Sequence, residues 1–104
     1  MSDQIVPFSP FAATTKSITA SSITSRVALP ALGTSGSRTV RVYNTTAVVV
    51  FILFGDVTVN ALTTSLPIPP GAVEFFDCPA GVTHVAGITT AGGGTVYFTE
   101  GEGN

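Results

Sequence analysis

Residues 48–54 read Val-Val-Val-Phe-Ile-Leu-Phe, an uncharged β-branched and aromatic run closed by the turn signal Gly55-Asp56. A strand built from it is apolar on both faces, so neither side suits water. It must lie centrally in a sheet or have its outer face covered by another chain. Left open, it would combine high β-propensity, high hydrophobicity and no charge, which is an aggregation hazard. It is also far shorter than the roughly 20 residues a membrane helix needs.

The rest of the chain points to the same class. β-Branched runs recur at short intervals between Gly, Pro, Asn and Ser clusters, and no window shows the helical spacing i, i+3, i+4, i+7 with caps. Residues 38–44 alternate, with Val40 and Val42 facing one way and Thr39, Arg41 and Tyr43 the other. Phe75 and Phe76 fall on opposite faces of a strand over 72–77. Pro70-Gly71 suits a type II turn, because proline presets the first corner and glycine permits the positive φ of the second. Val57-Thr58-Val59 reads as a short hairpin partner of the apolar strand, and 83–89 with 95–99 as a terminal pair joined by three glycines. The expectation is all-β: a single-domain β-sandwich of jelly-roll or Greek-key type with about seven to nine short strands. A closed barrel is the second choice.

Three regions follow. Residues 1–15 form an extended N-terminal arm, because Val6-Pro7-Phe8-Ser9-Pro10-Phe11 alternates proline with apolar residues and prolines are excluded from central strands. Residues 16–100 form the sandwich, and 101–104 a polar C-terminal tail, with Glu100 and Glu102 read as solvated.

Charge is scarce. Four Lys/Arg and six Asp/Glu serve 104 residues. A monomer of this mass exposes roughly 5,500 Å². At about 100 Å² each, ten charged side chains cover under a fifth of that, against the 25–35% charged residues of a well-solvated surface. Ser and Thr solvate part of the remainder, and the rest fits a surface packed into an assembly. A net charge of −2 leaves no footprint for nucleic acid or anionic membrane. The start, Met1-Ser2-Asp3-Gln4, lacks a basic stretch followed by an apolar one, so the expected route is cytoplasmic synthesis without secretion. Asn44-Thr45-Thr46 has the form of a glycosylation acceptor, but in that setting it reads as a turn.

Catalytic chemistry finds no foothold. One His and one Cys give no metal-ligand pair, so neither a metal site nor a cofactor is expected. His84 shares a strand face with Val82, Ala86 and Ile88 and reads as a partly buried core or interface residue. Cys78, beside Pro79, reads as a small buried hydrophobe. Gly33-Thr34-Ser35-Gly36-Ser37 lacks the glycine spacing and following helix of a nucleophile elbow. A Ser/His/Asp triad drawn from nine serines carries no information. The expected catalytic set is empty, and the chain is read as a non-enzyme.

A succession of short motifs carries a resemblance over about residues 38–103. It runs Arg41-Val42-Tyr43-Asn44, Phe54-Gly55-Asp56, Pro69-Pro70-Gly71-Ala72-Val73-Glu74-Phe75-Phe76, Pro79-Ala80-Gly81-Val82-Thr83-His84, Gly94-Thr95-Val96-Tyr97-Phe98-Thr99 and Gly101-Glu102-Gly103. It resembles the small decoration or cement proteins encoded beside the capsid genes of tailed bacteriophages. The resemblance implies a virion protein on the capsid exterior, bound as a dimer or trimer to the major capsid protein and reinforcing the lattice. A different phage β module (tail, head–tail connector or fibre-associated) and a carbohydrate-binding sandwich are the alternatives. The candidate contact residues are Val6, Phe8 and Phe11 in the arm, with Val49, Phe51 and Leu53 on the second face of the apolar strand.

Overall fold

The computed structural model describes residues 9–11, 13–29, 38–78 and 81–102. Val6, Phe8, the 31–37 loop and the Pro79-Ala80 turn lie outside the described residues.

The strands are β1 (Ser9–Pro10), β2 (Lys16–Ala20), β3 (Ser25–Ala28), β4 (Arg38–Asn44), β5 (Val50–Gly55), β6 (Leu66–Ile68), β7 (Val73–Cys78), β8 (His84–Ile88) and β9 (Gly94–Glu102). They form two antiparallel sheets. One runs β2-β9-β4-β7, with the two-residue β1 also pairing on β9, and the other runs β3-β8-β5-β6. The pairings nest: β5 with β6, β4 with β7, β3 with β8, β2 with β9. The chain is therefore one long hairpin with its tip at 56–65, rolled so that successive strands on each arm alternate between sheets. That is the jelly-roll arrangement, and the expected all-β sandwich is what forms.

Alternation decides which side chains meet between the sheets. Val40 and Val42 of β4, Val96 and Phe98 of β9, Val50 and Ile52 of β5, and Val85 of β8 are fully or almost fully buried. Phe54 and Phe76 bridge the layers with ring centroids 5.8 Å apart, tilted by 56°. Cys78 is buried in the same core. The apolar run forms β5, which is central, between β8 and β6.

Two expected hairpins give way to longer-range pairing. Residues 57–59 are turn and coil, and the partner of β5 is β6, across the ten-residue tip. β8 and β9 lie in opposite sheets, because the glycines of 92–94 carry the chain across the sandwich rather than folding it back. The polar end also differs. β9 continues through Glu102, and Glu100, read from sequence as a solvated carboxylate, is fully buried. It occupies an inward position of the strand after Val96 and Phe98.

The described part of the arm lies on its own domain. Ser9 and Pro10 pair with Glu102 and Gly101, and the Phe11 amide donates to the Glu100 carbonyl at 2.9 Å. Between β1 and β2 the register slips, with Ala13 at φ 61°. There the Thr14 hydroxyl replaces the missing ladder, donating to Glu100 O (3.1 Å) and accepting from Glu100 N (3.2 Å).

Asn44 ties the layers together at one end. Its side chain is fully buried where β4 leaves one sheet for the other. Nδ2 lies 2.9, 3.0 and 3.1 Å from the carbonyls of Val48, Ile68 and Pro69, while Oδ1 accepts from Thr46 N (2.9 Å) and Thr46 Oγ1 (2.7 Å). Its main chain is fixed as well: Asn44 N donates to Ala72 O, and Gly71 N to Asn44 O. The Pro70-Gly71 turn beside it has the expected type II form, with Gly71 at φ 73° and Ala72 N donating to Pro69 O at 3.1 Å. The amide nitrogen of Asn44 is thus enclosed and committed to carbonyls.

Removing one member of a buried network leaves several groups without partners, at about 1–3 kcal/mol each. Asn44→Ala should therefore lower unfolding free energy by about 3 kcal/mol in urea titration. Thr45→Ala, which removes an exposed hydroxyl bond to Thr95 O, should cost under about 1 kcal/mol. Equal effects of the two would remove Asn44 from its role.

Candidate interaction surfaces

Among the described residues no group of three or more His, Cys, Asp or Glu could hold a metal ion, and no helix is long and apolar enough to cross a membrane. What the fold presents is two outer sheet faces of different construction.

The first is the outer face of the β3-β8-β5-β6 sheet. Register puts Phe51 and Leu53 of β5, Ala86 and Ile88 of β8, and Arg26 of β3 on this side. The tip of the long hairpin, residues 56–65, folds back across part of it as a strap. Val59 and Ala61 are buried against Ala86, with Ile88 packed beside them. The strap is built from two turns: Val59 N donates to Asp56 O (3.0 Å) and Ser65 N to Leu62 O (2.8 Å). Arg26 Nη1 reaches Val59 O and Asn60 Oδ1, both at 3.2 Å, and Ala61 N donates to Thr24 Oγ1 at 2.9 Å. At its root, a Cβ on Gly55 would lie 3.0 Å from the Val59 side chain, so a larger residue there presses on the strap. Burying a valine stabilises by about 1.5–2 kcal/mol and a half-exposed hydrogen bond by about 1 kcal/mol or less, so Val59 is the main anchor.

The strap leaves the face incompletely covered. Leu53 remains 42% exposed and Val49 37%, with Val57 and Leu62 at 60% on the strap. Phe51 is half-buried. Of the sequence candidates, then, Val49 and Leu53 are open on one face with Phe51 between them, whereas Phe11 is half-buried against β9 and remote from them in the topology. His84 lies on this face too, half-buried, with Nδ1 2.8 Å from Thr83 Oγ1.

The second face belongs to the β2-β9-β4-β7 sheet and was not singled out from sequence. Register sets Ser17, Tyr97, Tyr43 and Val73 in one row across four strands, and Thr99, Arg41 and Phe75 in the next. Tyr97 is 40% exposed, Tyr43 36%, Val73 39% and Phe75 51%. The Arg41 guanidinium lies 5.5 Å from the Tyr43 ring centroid. Alternation sets Arg41 and Tyr43 opposite Val40 and Val42, and Phe75 opposite Phe76 without saying which phenylalanine faces outward. Their neighbourhood with Tyr97 was not readable from alternation, because it depends on β4 pairing with a strand from the far end of the chain.

Together these features define the class as a jelly-roll β-sandwich, with four main strands in each sheet, the two-residue β1 added on β9, and partly apolar outer faces. Comparison with family models, with curated proteins and with solved structures finds no match.

One titration reports on the strap directly. The Thr58 hydroxyl (2.6 Å) and the Thr58 amide (2.9 Å) both donate to Asp56 Oδ1, and these bonds hold the Asp56 carboxyl below its ordinary 3.8. A lowered folded value means that the turn's stabilisation is complete above 3.8 and is lost as pH falls through the folded value. The Thr58 amide resonance should titrate with a midpoint below 3.8, and a midpoint at or above it would contradict the turn.

Proposed function

We propose that this chain is a non-enzymatic structural component of a tailed-bacteriophage virion, made in the host cytoplasm, that binds the outer capsid lattice and reinforces it. The observation that supports this reading most is the unfinished outer face of the β3-β8-β5-β6 sheet. A domain that already folds its own strap over that face still leaves Val49, Leu53, Val57 and Leu62 open to solvent. An apolar surface of this kind marks a partner site, and its low charge suits a partner that stays bound. The motif succession over residues 38–103 supplies the class of partner, the major capsid protein.

Reinforcement follows from mass action. A ligand that binds only the assembled shell stabilises it by RT ln(1 + [L]/Kd), and an oligomer touching several capsomers multiplies a modest contact through avidity. No reacting group is required. A jelly roll suits the task because its stability comes from interlayer packing, leaving the outer faces free to vary.

Cosedimentation with expanded shells tests the reading. The wild-type chain should bind saturably to the outside of the shell, and Leu53→Asp should weaken binding at least about tenfold, since it places a charge in a desolvated contact. Because Leu53 is solvent-facing, its thermal midpoint should stay close to wild type. Absence of binding, or full occupancy by Leu53→Asp, would contradict the proposal. Density confined to the tail or connector would transfer the chain to another virion role.

A further inference from the structure

We infer that the outer face of the β2-β9-β4-β7 sheet docks a second copy of this chain, sheet against sheet about a two-fold axis. The inference takes from the proposed function only that the chain self-associates; it adds the surface and the symmetry.

Composition is the first argument. The face presents Tyr97, Tyr43, Phe75, Val73 and Arg41 at its centre, and it carries neither Lys nor Glu at an outward strand position. Tyr, Phe and Arg are the residues that protein interfaces enrich, while Lys and Glu are depleted. Ser17, Thr39, Thr95 and Thr99 supply a neutral hydroxyl surround.

Charge is the second. The outward strand positions hold one cation, Arg41, and one anion, Asp77, so two identical faces meet without net repulsion. Arg41 is already held over the Tyr43 ring. That contact reduces the cost of removing the guanidinium from water. It also occupies a face of the ring on which a sugar would stack, which favours a protein partner over a glycan.

Area and edges complete the case. Four strands about 4.8 Å apart, with five, nine, seven and six residues at about 3.3 Å of rise each, give a footprint of about 430 Å². That is about half of the roughly 800 Å² each partner contributes to a standard interface, and standing side chains raise the accessible area above the footprint. Edge-to-edge association through β6 or β7 is poorly served. β6 is three residues long and contains Pro67, while β7 carries Glu74 and Asp77. A second copy supplies an identical flat face, and isologous stacking of two such faces is ordinary sheet-on-sheet packing.

Sedimentation equilibrium on the full chain tests this, with Tyr97→Asp, Phe75→Ser and Leu53→Asp compared with wild type. The expected result is a wild-type dimer at micromolar concentration. The dissociation constant should rise at least about 100-fold in Tyr97→Asp and Phe75→Ser, whose monomers keep the wild-type far-UV circular dichroism, and stay unchanged in Leu53→Asp. A monomeric wild type, a trimer, or a dimer lost only in Leu53→Asp would overturn the inference. So would a monomer whose glycan binding disappears in Tyr97→Asp. Shell binding by a monomeric wild type would remove this inference and leave the lattice reading standing; a dimer that ignores shells would do the reverse.

Discussion

Asn44 holds the two layers of this protein in register. Both ends of its amide are used inside the sandwich: Nδ2 faces three carbonyls from two separate crossovers, and Oδ1 accepts twice from Thr46. A jelly roll repeatedly sends its chain from one sheet to the other, and each crossing leaves backbone groups without ladder partners. At this end, one side chain satisfies the β4–β5 crossing and the β6–β7 crossing together. The nested strand pairing, the placement of β5 at the centre of its sheet and the aim of the strap all depend on those crossings being fixed.

With the layers fixed, the outer faces can differ. One sheet is roofed in part by residues 56–65, anchored chiefly by Val59 over Ala86. Among the described residues the other has no such cover, and it presents paired rows of aromatic, threonine and arginine side chains. Low charge is common to both, and it acquires a location. It lies around Leu53 and the strap on one side and around Tyr97 and Phe75 on the other. A component with two usable sides can hold a partner with one and itself with the other. That combination turns a weak individual contact into a durable one.

Much of this was legible in the residues, and the remainder was not for identifiable reasons. Alternation in β4 placed Val40 and Val42 inward, Pro70-Gly71 gave its turn, and the two-sided run at 48–54 placed itself centrally. Asn44 was legible only as a turn residue, since an asparagine that caps a loop and one that clamps two crossovers look alike in sequence. Val57-Thr58-Val59 has strand composition, but Asp56 captures Thr58 and the segment gains more by burying Val59 than by pairing. Glu100 sits in a polar, glycine-rich terminus that reads as solvated, yet β9 keeps its inward phase through that position. The row from Ser17 through Tyr97 and Tyr43 to Val73 joins four distant parts of the chain, and no local pattern contains it.

The central claim is that these faces belong to an assembly on a capsid exterior. Its most direct measurement is whether the chain copurifies with capsid particles, and at what copy number and location, by quantitative protein analysis with cryo-electron microscopy. The account requires a fixed, symmetry-matched ratio to the major capsid protein, with the jelly roll resolved on the outer lattice. Particles without the chain, or with a few copies confined to the tail, would contradict it.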